Sequence, residues 1–100
     1  MKLLWHPLAA DDFATAVGYI QERSPTAAQQ FAATVLTAVE RLADFPQLGR
    51  LGRVPPTREL VIGGTRYVVA YLVDEGHACV VVLRLLHGAQ QWPASFDSTV

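Results

Sequence analysis

Two stretches of this sequence concentrate groups that can hold an anion or move a proton. One is Leu48-Gly49-Arg50-Leu51-Gly52-Arg53 followed by Thr57-Arg58-Glu59-Leu60; the other runs Leu83-Arg84-Leu85-Leu86-His87 and on to Trp92-Pro93. Guanidinium groups grip carboxylates or phosphates through paired N–H donors, and histidine exchanges a proton near neutral pH. The positive charge is local: residues 50–66 carry Arg50, Arg53, Arg58 and Arg66 against Glu59, whereas residues 1–45 carry three basic and five acidic side chains. With no lysine after Lys2 and a net charge of −1, the chain lacks a broad phosphate-binding footprint. Strong independent nucleic-acid binding is not expected, and any anion must be met by a few arginines.

Other chemistries find little support. The chain has no glycine-rich phosphate loop and no His-x-x-x-His or Cys-x-x-Cys spacing, so neither a metal nor a cofactor is expected. His6 falls at a strand end and His77 in a hairpin turn, both structural positions. Cys79 reads as a small buried hydrophobe, and a single cysteine forms no internal disulfide. Asp11 and Asp12 sit near a helix start, where the helix dipole favours negative charge, and need no catalytic explanation.

The elements that must position these residues follow from periodicity. Lys2 to His6 is short and apolar and is closed by Pro7, which suits a strand running into a helix with proline in its first turn. Ala9, Phe13, Ala16 and Ile20 form one apolar helical stripe; Ala28, Phe31, Val35, Ala38 and Leu42 form a second. Ser24-Pro25 supplies an N-cap and a first-turn proline between them, so the two helices make a hairpin. Phe45-Pro46 ends the second helix. A turn-rich loop with Gly49, Gly52, Pro55 and Pro56 leads to strand-like runs at 58–62, 66–73 and 78–86, joined by glycine-bearing loops of hairpin length. The expectation is an α+β fold, a helical hairpin packed on a mostly antiparallel four-stranded sheet in the order β-α-α-β-β-β. One domain spans 1–93 and a polar tail 94–100, whose last residues are expected to fray. Both alternating sets of the 66–73 strand are apolar, so the sheet face away from the hairpin must be covered by the tail or by a partner.

A length of 100 residues fits a single domain, and 51% hydrophobic with 17% charged residues places the chain among globular proteins. The longest apolar run is far too short for a bilayer, and the N-terminus lacks a secretory signal, so a cytoplasmic protein without membrane contact is expected.

The ordered succession of these motifs, from about Leu4 to Pro93, resembles toxins of the RelE/ParE superfamily of type II bacterial toxin–antitoxin modules. The carriers are the short first strand, the alanine-rich hairpin, the Pro46 to Val61 loop and strand, Tyr67 and Tyr71 in one strand, and the Leu83 to Pro93 run. The resemblance implies a growth inhibitor neutralised by a cognate antitoxin that lays a helix or an extended segment on the toxin. It implies one of two targets: messenger RNA cut on the ribosome, or DNA gyrase inhibited by protein contact. RNA cleavage by 2'-hydroxyl attack needs a base, a cation for the phosphorane and an acid for the leaving oxygen. By resemblance Arg58, Arg84 and His87 match the nuclease positions. Arg50, Arg53, Arg66, Tyr67, Tyr71 and Trp92 would then meet phosphate or a partner.

The absence of loop lysines and the near-neutral charge point to the gyrase-type branch, the nuclease being the alternative and a degenerate, non-toxic interaction domain a third reading. Strand alternation places Arg84 and His87 on opposite faces unless the strand bulges or ends near Leu86. Without a catalytic role, Arg84 is expected to pair with Glu59 across the sheet, His87 to bond a backbone group beside Gly88, and Trp92 to anchor the tail.

Overall fold

Both helices of the computed structural model, which describes residues 1–98, open with a capping side chain followed by proline. His6 accepts from the Leu8 N–H at 3.0 Å before α1 (Pro7–Gln21), and Ser24 accepts from the Ala27 N–H at 3.1 Å before α2 (Pro25–Asp44). Proline at the first helical position loses no hydrogen bond and pre-sets φ. Because α1 begins at Pro7, its first turn holds no acidic residue. Asp11 and Asp12 are therefore not a start signal, and Asp12 has another task, described below.

The strands are β1 (Lys2–Trp5), β2 (Arg50–Leu51), β3 (Arg58–Val61), β4 (Tyr67–Asp74) and β5 (Cys79–His87). The sheet has five strands, in the order β1-β5-β4-β3-β2, not four. The additional one is β2, two residues inside the expected turn-rich loop, where Arg50 pairs with Glu59 and Leu51 with Arg58. So short a strand leaves no apolar alternation to read. All pairings are antiparallel except β1 with β5, which is parallel over Lys2–Trp5 and Cys79–Val82. The β3–β4 turn uses Gly64 at φ +79°, whereas in the β4–β5 turn the positive φ falls on Ala78. His77, as expected, is spent on that turn, its Nδ1 2.8 Å from Asp74 Oδ2.

One sheet face packs on the hairpin through Phe31, Val35, Val39 and Leu42 against Val69, Tyr71, Val80, Val82 and Leu85. Val39, rather than Ala38, is the fully buried member of the α2 stripe. The opposite face carries Cys79, Val81 and Leu83, and the tail covers it: Phe96 packs there with Leu4 and Leu72. His6 Nε2 lies 3.5 Å from Asp97 Oδ2, which places the tail beside the start of α1. Positions 99 and 100 lie outside the described residues, and so does the fraying expected of them. No helix is long and apolar enough to cross a membrane among the described residues.

Candidate functional site

The candidate residues divide over both faces of the sheet. On the face away from the helices, Glu59, Ala70 and Arg84 stand in one row, since Glu59 pairs with Ala70 and Ala70 with Arg84. Glu59 and Arg84 are two strand spacings apart, about 10 Å. The expected ion pair between them does not form, and each takes a different partner.

Glu59 is 3% exposed and collects the loop arginines: Arg50 Nη2 donates at 3.0 Å, Arg53 Nε at 3.1 Å and the Arg53 N–H at 2.8 Å. Burial pushes its carboxyl up, but the hydrogen bonds from Arg53 and Arg50 outweigh that and hold it below the ordinary 4.5. A carboxylate depressed in the folded state contributes stability that is present above the unfolded pKa and lost as pH falls through the folded one. Melting temperature is therefore expected to drop as pH is lowered below about 4.5. Glu59→Gln is expected to cost about 1–3 kcal/mol at pH 7 and to flatten that acid limb, a modest cost because the stranded arginines reach water. Thermal melts of both proteins from neutral to acid pH check this, and parallel acid limbs would contradict it.

Arg53 also lies under the Trp92 indole, its guanidinium carbon 3.6 Å from the ring centroid. Trp92 thus anchors the tail as expected, through a cation as well as through apolar area. Arg84 is held by Asp12 of α1, with Nε to Oδ2 at 2.7 Å and Nη2 to Oδ1 at 3.0 Å. Hydrogen bonds to Asp12 keep its guanidinium above the ordinary range, against the opposing effect of burial.

His87 and Tyr67 lie on the other side, where their rings meet edge-on at 5.4 Å. With Arg66, Phe31, Ile20 and Tyr19 they line a groove of about 440 Å³ between the helices and the end of β4. His87 Nδ1 accepts from the Ala89 N–H at 3.1 Å, the backbone contact expected beside Gly88, which assigns the proton of the neutral ring to Nε2.

Arg58 and Tyr71 form a third group at the foot of α2. Tyr71 is fully buried, its hydroxyl donating to Pro46 O and accepting from the Gly49 N–H, both at 2.8 Å, while Arg58 Nη1 donates to Gly49 O at 2.8 Å. Burial raises the phenol above its ordinary value despite the Gly49 N–H and the nearby Arg58. Tyr71 was expected to meet a partner or phosphate; with no exposed surface it positions the arginine loop instead.

Arg58, Arg84 and His87 are thus not brought together. The β5 bulge exists, since Tyr71 pairs with Val82 and Ala70 with Arg84, but it does not place Arg84 beside His87. Arg84 borders a cleft with Leu86, Gln91, Trp92 and Pro93, whereas His87 borders the groove by Phe31. The bond from Arg84 to Asp12 and the tail contacts of Phe96 and Asp97 escaped the sequence reading because the partners lie far apart in the chain; Asp12 and Arg84 are separated by 72 positions. Among the described residues no three His, Cys, Asp or Glu side chains are grouped to hold a metal ion.

The model of the family described as ParE toxin of type II toxin–antitoxin system, parDE, matches residues 3–92, and the chain belongs to that family. It is 40% identical over 75 residues to Y4kP of Sinorhizobium fredii, covering 75% of each chain. To Toxin RelE2 of Caulobacter vibrioides it is 36% identical over 89 residues, 89% of this chain and 97% of that one. Its fold is shared with a solved structure described as the chromosomal ParDE TA system from P. aeruginosa, at a TM-score of 0.76 and 22% identity, covering 87% of this chain and 95% of that one.

Proposed function

We propose that this toxin arrests growth by binding DNA gyrase as a protein, without cutting RNA, and that a cognate antitoxin holds it inactive. The observation that carries the reading is the separation of Arg58, Arg84 and His87 and the commitment of their polar atoms. Arg84 is spent on Asp12, Arg58 on a backbone carbonyl, and the His87 Nδ1 lone pair on an amide. A ribonuclease needs cation and acid converging on one phosphate. A protein that acts by contact needs surface, and Arg50 and Arg53 stay 58% and 48% exposed at the side chain even while paired.

The test is a supercoiling assay with purified gyrase beside a cleavage assay on ribosomes programmed with messenger RNA. Expected are loss of supercoiling, intact messenger, and full toxicity of His87→Gln on induction. Messenger cleavage with undisturbed supercoiling would overturn the reading in favour of the endonuclease. Unaffected growth on induction without antitoxin would leave only a non-toxic interaction domain.

A further inference from the structure

Phe45, Leu48 and Leu51 all stand exposed at one edge of the sheet, Leu51 with 76% of its surface in solvent. Single exposed apolar residues need no account, whereas a cluster along one edge marks an interaction surface or an aggregation hazard. The edge is the outer side of β2, which pairs with β3 alone among the described residues and ends the strand order. Pairing with Arg58, two positions before the core residue Leu60, turns Leu51 to the helix side of the sheet. Phe45 caps α2, the Leu48 N–H donates to Phe45 O at 3.0 Å, and the two residues border a cleft of about 440 Å³ with Asp44, Pro46 and Gln47.

The backbone under these side chains is fixed. The buried Tyr71 hydroxyl bonds to Pro46 O and to the Gly49 N–H, on either side of Leu48, and Arg58 holds Gly49 O. Side chains on so rigid a base lose little further freedom on contact, as a docking surface requires. Apolar area left in water at Leu51 contributes little to the fold and becomes favourable only on association.

The other face of the same edge carries charge. Arg50 and Arg53 reach solvent, whereas Glu59, the carboxylate they share, is buried. Each guanidinium has five N–H donors; Glu59 takes one from Arg50 and two from Arg53, and most of the remainder stay free for another acceptor. With Asp44 counted, residues 44–59 still hold three arginines against two acids.

We propose that the β2 edge is the surface by which the toxin engages gyrase, with Leu48 and Leu51 as apolar anchors and Arg50 and Arg53 as cations, and that it fits an acidic patch bordering an apolar pocket on that enzyme. The inference deepens the gyrase reading above and rests on it. An acidic partner takes the free guanidinium donors without displacing Glu59. Burial of the leucines supplies affinity, and charge supplies steering and register. A second copy of this chain is a poorer occupant, because a two-fold contact across this edge faces arginines with arginines.

The experiment measures affinity for purified gyrase holoenzyme, and inhibition of its supercoiling, with the full toxin and with Leu51→Glu, Leu48→Glu and Arg50→Gln. Leu36→Glu, at an exposed apolar position of α2, is the control. Each leucine variant of the edge is expected to lose at least about tenfold in both readouts at an unchanged melting temperature, Arg50→Gln about three- to tenfold with a shallower salt dependence, and Leu36→Glu less than about twofold. Binding of the antitoxin encoded by the neighbouring reading frame is expected to stay as in the parent. Should Leu51→Glu misfold, Leu48→Glu, on the turn before β2, decides. Gyrase inhibited equally by the parent and by both leucine variants overturns this surface while the gyrase reading stands. Losses in the leucine variants with no effect of Arg50→Gln or of salt overturn the acidic partner, and an equal loss in Leu36→Glu overturns the placement. Variants that keep gyrase inhibition but lose antitoxin binding or self-association assign the edge to those occupants and overturn the proposal. A parent toxin that neither binds nor inhibits gyrase removes both readings.

Discussion

Gly49→Ala is expected to destabilise the protein by about 2–4 kcal/mol, lowering its melting temperature by roughly 10–25 °C. A methyl group at position 49 would sit 2.7 Å from Glu59 O and 2.8 Å from the Tyr71 ring and hydroxyl. Neither neighbour can yield. The carbonyl belongs to a paired strand, and Tyr71 is fully buried and fixed by its bonds to Gly49 and Pro46. Relief would require pulling the loop outward, which breaks the Gly49–Tyr71 and Arg58–Gly49 hydrogen bonds together. Gly18→Ala is the matched control: it lies within α1, a Cβ there meets nothing within 4 Å, and the substitution is expected to stabilise by about 0.5–1 kcal/mol through helix propensity. Thermal melts of the two variants should move in opposite directions, and a Gly49→Ala protein melting like the parent would show that the loop is not clamped as described.

The second large effect concerns Asp12. Asp12→Ala is expected to cost about 2–4 kcal/mol, and Arg84→Ala less, about 1–2 kcal/mol. The asymmetry follows from the number of groups each removal strands. Without Asp12, a guanidinium 25% exposed at the side chain and the Leu85 N–H both lose their acceptor. Without Arg84, Asp12 keeps the Leu85 amide and faces water on its free side. In a double-mutant cycle the paired substitution should cost little more than Asp12→Ala alone, and additive losses measured by denaturant unfolding would show that the two side chains act independently.

Much of the scaffold was legible because it depends on local chemistry. Ser24-Pro25 and His6-Pro7 mark helix starts through capping and fixed φ, and the apolar runs at 66–73 and 78–86 match β4 and β5 to within one residue at each end. Less of the candidate site was legible, for a geometric reason. Arg50, Arg53 and Glu59 are neighbours in sequence as well as in space, yet their convergence on one carboxylate depends on the two-residue strand β2, which has no periodic signature. Arg84 and Glu59 do share a sheet face, as an ion pair across the sheet requires. The competing acceptor sits on α1, where only the docking of the helix against β5 brings it within reach. The resemblance makes Tyr71 a contact residue along with Tyr67, but alternation cannot tell a tyrosine that faces a groove from one buried against the loop that follows α2.

The parallel pairing of β1 with β5 bears on how the toxin comes into being. β1 is synthesised early, and the strand it must lie against emerges only after both helices and three other strands have left the ribosome. Such a long-range closure delays the final folding step until nearly the whole chain is out. During translation the toxin's sheet is incomplete, an interval that ends only when β5 has emerged to receive β1.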